Sequence, residues 1–351
     1  MKRLLIVLSA SFVSAPTWGL QQRRPSLAGG DSRTKNSPDL FLPIQLEVMM
    51  KNLFLKAGLM AVLFAGFQSV SQGDAGAPVA KQMTVNDVTL PYIEQGQGAP
   101  VVFVHGAFSD LRAWEPQREA VARRFRFIAY TQRYFGTDPW PAKGEPYSQV
   151  THAADLAAFI RQLNVGPVYL VGRSYGGTVA VRTALQHPEL VRAVFVQEPS
   201  IAATAVADPD VQGILKKERG GMAPAREAAK AGKADEATRL FADWTNGQPG
   251  GFDALPPETR SMHLDNGRTV ALHFAAAPPP KISCADLGQM KRPLAITAGE
   301  LTRPFFKILA ETAHNCVPGS QLIPIPGARH AATTQNPAAF NNALLTFLAS
   351  H

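Results

Sequence analysis

The chain has 351 residues, of which 46% are hydrophobic, 18% charged and 8% aromatic, a balance that supports a sizeable core and excludes a disordered chain, a collagen or a disulfide-dense scaffold. The formal charge is +8, but +5 of it falls at or before Ser71 and only +3 is spread over the 280 residues from Gln72 onward. Signs are interspersed there, so no basic face for nucleic acid is presented.

Two apolar runs stand near the N-terminus, residues 4–13 behind Lys2 and Arg3, and residues 53–66 behind Met49, Met50 and Lys51. Each resembles the basic and apolar parts of a secretory signal. The second is too short for a comfortable membrane span and ends in small and polar residues around Ser69, Ser71 and Gly73. A signal segment over residues 49–71 is therefore expected, with translation starting at Met49 or Met50 rather than Met1. Residues 14–48, rich in Pro, Gly, Ser, Gln and Arg, are expected to be disordered, so that residues 1–77 form a targeting region. The protein is expected to be exported, periplasmic or secreted, with no stable membrane span once the signal is removed. In an oxidising compartment Cys284 and Cys316, the only cysteines, can pair; two separate buried thiols are the alternative. The absence of a Cys-x-x-Cys pair argues against a redox or zinc role.

From Lys81 the pattern becomes regular. Residues 83–85 and 89–93 read as a hairpin around Asn86-Asp87, followed by a strand at 101–104, a helix at 114–124, a strand at 127–130 and a helix at 151–163 whose Leu156, Phe159, Ile160 and Leu163 recur at helical spacing. A strand at 168–171, a helix at 177–186 and a strand at 194–196 continue the alternation. Strand signals then vanish over residues 201–289, replaced by Ala-rich charged segments, and resume with strands at 294–297 and 321–325 and helices at 304–314 and 337–349. Short β-rich runs separated by helices predict an α/β fold with a mostly parallel sheet covered on both faces. The strands on either side of the gap belong to one pattern, so residues 78–200 and 290–351 are expected to form one core, with 201–289 inserted as a helical cap.

Gly172-Arg-Ser174-Tyr-Gly176 joins a strand to a helix. A sharp turn there exposes the Ser174 hydroxyl and aims the next N–H, that of Tyr175, into the same space, while side chains at Gly172 or Gly176 would collide with neighbouring chain. On this motif and its context, from about Lys81 to the end, the chain resembles the α/β-hydrolases. The resemblance places the nucleophile on Ser174 and implies an acid and then a histidine in chain order. The histidine falls on His330, between the last strand and the closing helix, where imidazole is suited to activate a hydroxyl. His105 is expected to brace its loop, and His152, His187, His263, His273, His314 and His351 to be structural or solvated.

The acid departs from the commonest family pattern, because the chain reads Gly299-Glu300-Leu301-Thr302 where an Asp would stand at the last position. Threonine cannot fix an imidazolium electrostatically. Relatives such as the haloalkane dehalogenases carry the acid at the end of the preceding strand, a place held here by Glu198; Glu198 is the expected acid and Glu300 the alternative. His105-Gly106-Ala107 resembles the family's His-Gly turn, which implies an oxyanion hole from the backbone N–H groups of Ala107 and Tyr175. Phe108, Trp114, Phe135 and Trp140 are candidate pocket residues; Phe241, Trp244 and Phe274 of the insertion either face the pocket or hold its helices together.

The expected activity is hydrolysis of a small-molecule ester or lactone through an acyl-enzyme, with no metal or organic cofactor. The alternatives are carbon–carbon bond hydrolysis or peracid formation at the same serine, and a non-catalytic binding protein on this fold, suggested by the missing Asp at Thr302. Neither the substrate nor the oligomeric state is readable from the sequence.

Overall fold

The computed structural model describes residues 75–140, 146–201 and 208–351; the expected signal segment, the alternative starts and the targeting region up to residue 74 lie outside the described residues. Strands β1 (Val79–Val85) and β2 (Val88–Gln95) form the expected hairpin, with Asn86 at φ 49° in the turn, a conformation that Asn tolerates better than most side chains. They extend a sheet of eight strands in the order β1-β2-β4-β3-β5-β6-β7-β8. β3 (Pro100–Val104), β4 (Arg126–Tyr130), β5 (Val168–Arg173), β6 (Val191–Gln197), β7 (Leu294–Gly299) and β8 (Gln321–Ile325) run parallel, and only the pairings of β2 are antiparallel.

Side chains of the parallel strands alternate between two apolar layers. Val102, Val104, Leu170 and Ile296 pack on one face against α2 (Gln149–Leu163), α3 (Tyr175–Gln186) and α10 (Pro304–Cys316), while Val101, Phe103, Val171 and Phe195 pack on the other against α1 (Glu115–Ala122) and α11 (Pro337–Ser350). Burial on both faces is what makes these strands near-continuous apolar runs. Helix limits follow local chemistry. The Ser148 hydroxyl accepts from Thr151 N–H to cap α2, and Asn164 ends it at φ 51°.

Between β6 and β7 the described residues form helices and no strand: α4 (Pro209–Gly220), α5 (Ala223–Lys230), α6 (Ala234–Asn246), α7 (Pro257–Asp265), α8 (Val270–Ala275) and α9 (Cys284–Leu287). This is the α/β-hydrolase architecture with a helical insertion before the last two strands. The insertion is tied to the core by polar contacts: Asn266 Nδ2 donates to Asp110, Gly136 N–H donates to Asn266 Oδ1, and Arg112 pairs with Asp265. Cys284, at the start of α9, is disulfide-bonded to Cys316, at the end of α10, 32 residues on. Closing a loop of that length stabilises a fold by about 3 to 4 kcal/mol in the chain-entropy treatment.

Candidate active site

β5 enters Ser174 and α3 leaves it one residue later, so the backbone must reverse within a single residue. Ser174 accordingly sits at φ 51°, ψ −118°, where a side-chain-bearing residue is strained. The flanking glycines make this possible. A Cβ on Gly172 would lie 2.7 Å from Gly176 O and one on Gly176 would lie 2.1 Å from His105 O, so the helix start, the strand end and the loop after β3 close on one another only without side chains. The Tyr175 N–H opens α3 and has no intrahelical acceptor.

The loop after β3 faces the same point. His105 is fully buried; Gln132 N–H donates to its Nε2 at 3.0 Å and its Nδ1 donates to Gly106 O at 2.8 Å. Burial pushes its pKa down to about 4, so the ring is a neutral brace. Ala107 then precedes Phe108, at φ 52°, and reaches the wall of the cavity that holds Ser174.

Glu198 follows the last residue of β6 and is 0% exposed. Its Oε1 accepts from Gly299 N–H at 2.8 Å and its Oε2 accepts from His330 Nδ1 at 2.5 Å. Both carboxylate oxygens are therefore committed, and His330 is held in the form whose Nε2 carries the free lone pair. Gly299 is needed for this approach, since a Cβ there would meet the carbonyls of Ala328 and Arg329 at 2.4 Å. Phe306 stacks on the His330 ring with centroids 3.8 Å apart. Burial lowers the His330 pKa below its ordinary value while Glu198 pulls the other way, and the burial effect is the larger.

Glu300 does not join this group. One residue beyond the end of β7 the chain has turned outward, and the exposed Glu300 carboxylate accepts from Gly327 N–H at 2.9 Å. The position of the acid at the end of β6 accounts for the Thr at 302.

Ser174 opens on two cavities. One, of about 30 Å³, is lined by Ser174, His330, Arg173, Phe108, Phe241 and His263; the other, of about 220 Å³, by Ser174, Tyr147, Phe241, Trp244, His273 and Phe306. The insertion thus contributes to both walls. Of Phe108, Trp114, Phe135 and Trp140 only Phe108 lines either cavity, while Phe241 and Trp244 of the insertion do face them. Trp114, 1% exposed, packs in the core against Phe103 and Phe340; Phe135 lies a layer deeper, edge-on to His105 and beside Tyr175; Trp140 donates from Nε1 to Tyr134 O under the Arg268 guanidinium. Each fills space behind the pocket, because bulky aromatics near a strand end serve core and cavity equally well in sequence.

Sequence reasoning missed His263 and His273, which line the cavities and were expected to be structural or solvated. His263 Nδ1 donates to Phe108 O at 2.7 Å, and His273 Nδ1 lies 3.3 Å from Tyr147 Oη. Burial holds both pKa values at about 4, so both rings are neutral. Nothing in their local sequence marks them; only the folding of α7 and α8 over the strand ends brings them in. Among the described residues no group of three or more His, Cys, Asp or Glu is arranged to hold a metal ion.

Comparison with known proteins agrees with the geometry. The chain is 26% identical over 275 residues to the 2-(acetamidomethylene)succinate hydrolase of Mesorhizobium japonicum, which covers 77% of this chain and 95% of that protein. It is 26% identical over 288 residues to a putative non-heme bromoperoxidase of Mycobacterium tuberculosis, covering 75% and 98% respectively. Among solved structures, a carboxylesterase from Bacillus subtilis superposes with a TM-score of 0.60 at 20% identity, over 81% of this chain and 95% of that one. The profile described as alpha/beta hydrolase fold matches residues 99–283. The chain belongs to the α/β-hydrolase fold family, and is a hydrolase on that fold.

Proposed function

We propose that the protein is an exported serine hydrolase that cleaves a carboxylic ester or lactone through an acyl-enzyme on Ser174. The observation that carries this reading is the Glu198–His330 hydrogen bond, with His330 and Ser174 on the wall of one cavity. His330 Nε2 takes the proton of the Ser174 hydroxyl as its oxygen attacks the substrate carbonyl. The oxyanion that forms is met by the N–H groups of Ala107 and Tyr175, donors of a kind worth about 3 kcal/mol of barrier each when removed singly. The tetrahedral intermediate collapses, His330 returns the proton to the departing alcohol, and the acyl group stays on Ser174. Water then gives a proton to His330 and attacks the acyl carbon; the second tetrahedral intermediate collapses, His330 passes that proton to the departing Ser174 oxygen, and the acid is released. Glu198 keeps Nδ1 protonated and stabilises the imidazolium in both halves. With the acid supplied by Glu198, the missing Asp at Thr302 no longer favours a binding protein without turnover.

Labelling with a fluorophosphonate probe tests the nucleophile, and a panel of p-nitrophenyl esters of graded chain length, with lactones beside it, tests the bond class. A protein that labels at Ser174 but cleaves none of them would end the ester and lactone reading and leave carbon–carbon hydrolysis or peracid formation at the same serine. Export is supported by the Cys284–Cys316 disulfide, which persists in oxidising compartments. N-terminal sequencing of the protein from cell fractions checks it; the expected result is an exported chain beginning near Gln72, and a cytoplasmic full-length chain would refute it.

The pH profile follows from the buried base. Only neutral His330 accepts a proton, so activity falls as pH drops through its pKa, and because burial lowers that pKa the acid limb of kcat/KM is expected below the ordinary imidazole value of about 6.5. Four other imidazoles, His105, His152, His263 and His273, have folded pKa values pushed down by desolvation to about 4, 3, 4 and 4. For each, the unfolded chain binds more protons below about pH 6.5, so fold stability is fullest above that pH and declines toward pH 4. Circular dichroism recorded alongside the rates separates the two losses. An acid limb centred above pH 7 in folded protein would contradict the burial of His330.

A further inference from the structure

The larger cavity at Ser174 does not end at its apolar walls. Gln149, Ser200, Pro278, Pro279 and Phe305 line it and also line an open recess of about 600 Å³, so the two adjoin, with the recess as a mouth beside the cavity. The mouth carries Arg182, Arg219 and Lys281 and, among the described residues, no carboxylate. Its inner side is built from α3, the helix that begins at the Ser174 turn. Thr178 and Arg182 stand one turn apart on it, on one face, and are 2% and 7% exposed. Arg182 Nη2 donates to Pro280 O at 2.7 Å, but Arg182 Nε and Thr178 Oγ1 are buried without a partner. The acid whose field reaches Arg182, Asp286, instead accepts from the N–H and hydroxyl of Ser283. A buried guanidinium with an idle donor beside an idle hydroxyl is costly unless a ligand completes it, and three cations facing one recess favour an anion.

We propose that this mouth is an anion subsite, formed by Thr178, Arg182, Arg219 and Lys281, that holds the negatively charged far end of the substrate's acyl group. The proposal rests on the serine-hydrolase reading for the direction of the substrate. The departing alcohol takes its proton from His330, which lines the small cavity and not the larger one, so the acyl group occupies the larger cavity and extends toward the mouth. The substrate class is an ester or lactone whose acyl part has an apolar segment next to the scissile carbonyl and an anionic terminus, a carboxylate or a phosphate-like group.

The test compares p-nitrophenyl esters with acyl chains of matched length ending in a methyl, a carboxylate or a phosphonate. The wild type is expected to favour an anionic ester by on the order of tenfold in kcat/KM, as for one charge-assisted contact, and to lose that preference as salt is raised. The ratio is expected to fall toward one in Arg182→Gln and, separately, in the double variant Arg219→Gln with Lys281→Gln. The double variant changes exposed side chains, so it remains informative if Arg182→Gln fails to fold. The carboxylate and phosphonate arms identify the anion. A second arm measures binding of the uncleaved esters to Ser174→Ala by calorimetry, with the same preference expected. If the wild type cleaves no ester yet the binding preference is present, the esterase reading fails and the subsite stands. If the neutral ester is used or bound as well as both anionic ones, or the preference survives both sets of substitutions, the subsite is overturned.

Discussion

Replacing Glu198 by Gln is expected to lower kcat by about 10⁴-fold, the scale of losing the orienting carboxylate in a serine triad. Glutamine preserves the volume but not the hydrogen bonds. Glu198 accepts at both oxygens, from Gly299 N–H and from His330 Nδ1. The amide has one acceptor, so either orientation loses a bond. With its oxygen on Gly299 N–H, its NH₂ faces Nδ1 and favours the ring form protonated at Nε2, which cannot take the Ser174 proton. With its oxygen on Nδ1, two N–H donors meet at Gly299. Glu300→Gln, by contrast, alters an exposed contact to Gly327 N–H and is expected to leave kcat within a few-fold of wild type. Steady-state rates on a p-nitrophenyl ester, with folding checked by circular dichroism, decide the matter; a Glu198→Gln protein as active as wild type would remove the acid from the triad.

Ser174→Ala is expected to lose about 10⁶-fold in kcat, as when the nucleophile of a triad is deleted, together with all fluorophosphonate labelling. Residual turnover near the wild-type rate would place the nucleophile elsewhere. The same position offers a second readout that does not depend on catalysis. Alanine keeps a Cβ on a residue held at φ 51°, whereas glycine adopts that backbone freely. Ser174→Gly is therefore expected to be more stable than Ser174→Ala by about 1 kcal/mol, the reverse of the usual order of these residues in a helix or strand. Thermal melts of the two inactive proteins measure it. An alanine variant that melts at the higher temperature would show that the turn is unstrained.

Most of the fold was legible because its causes are local. The strand at residues 321–325 is the whole of β8, and the strand read at 101–104 needs only Pro100 to become β3, whose Val101 to Val104 run is buried on both faces of the sheet. The Ser174 turn was likewise written in adjacent glycines, and Glu198 in a charge closing an apolar strand. The antiparallel strands were underestimated. β1 begins at Val79, where exposed, alternating side chains give no apolar run to count.

Sequence by itself determined the layered sheet, the strained serine turn, and a short choice of acids and histidines. Tertiary structure alone decided that Glu198 rather than Glu300 meets His330 across 132 residues of chain, that Trp114, Phe135 and Trp140 lie behind the pocket, and that His263, His273 and Arg182 border it. The reason is the range of the forces involved. Backbone conformation and side-chain periodicity act over a few residues and leave a pattern in the sequence, whereas a cavity wall is assembled from side chains far apart in the chain, each locally indistinguishable from a core or surface residue.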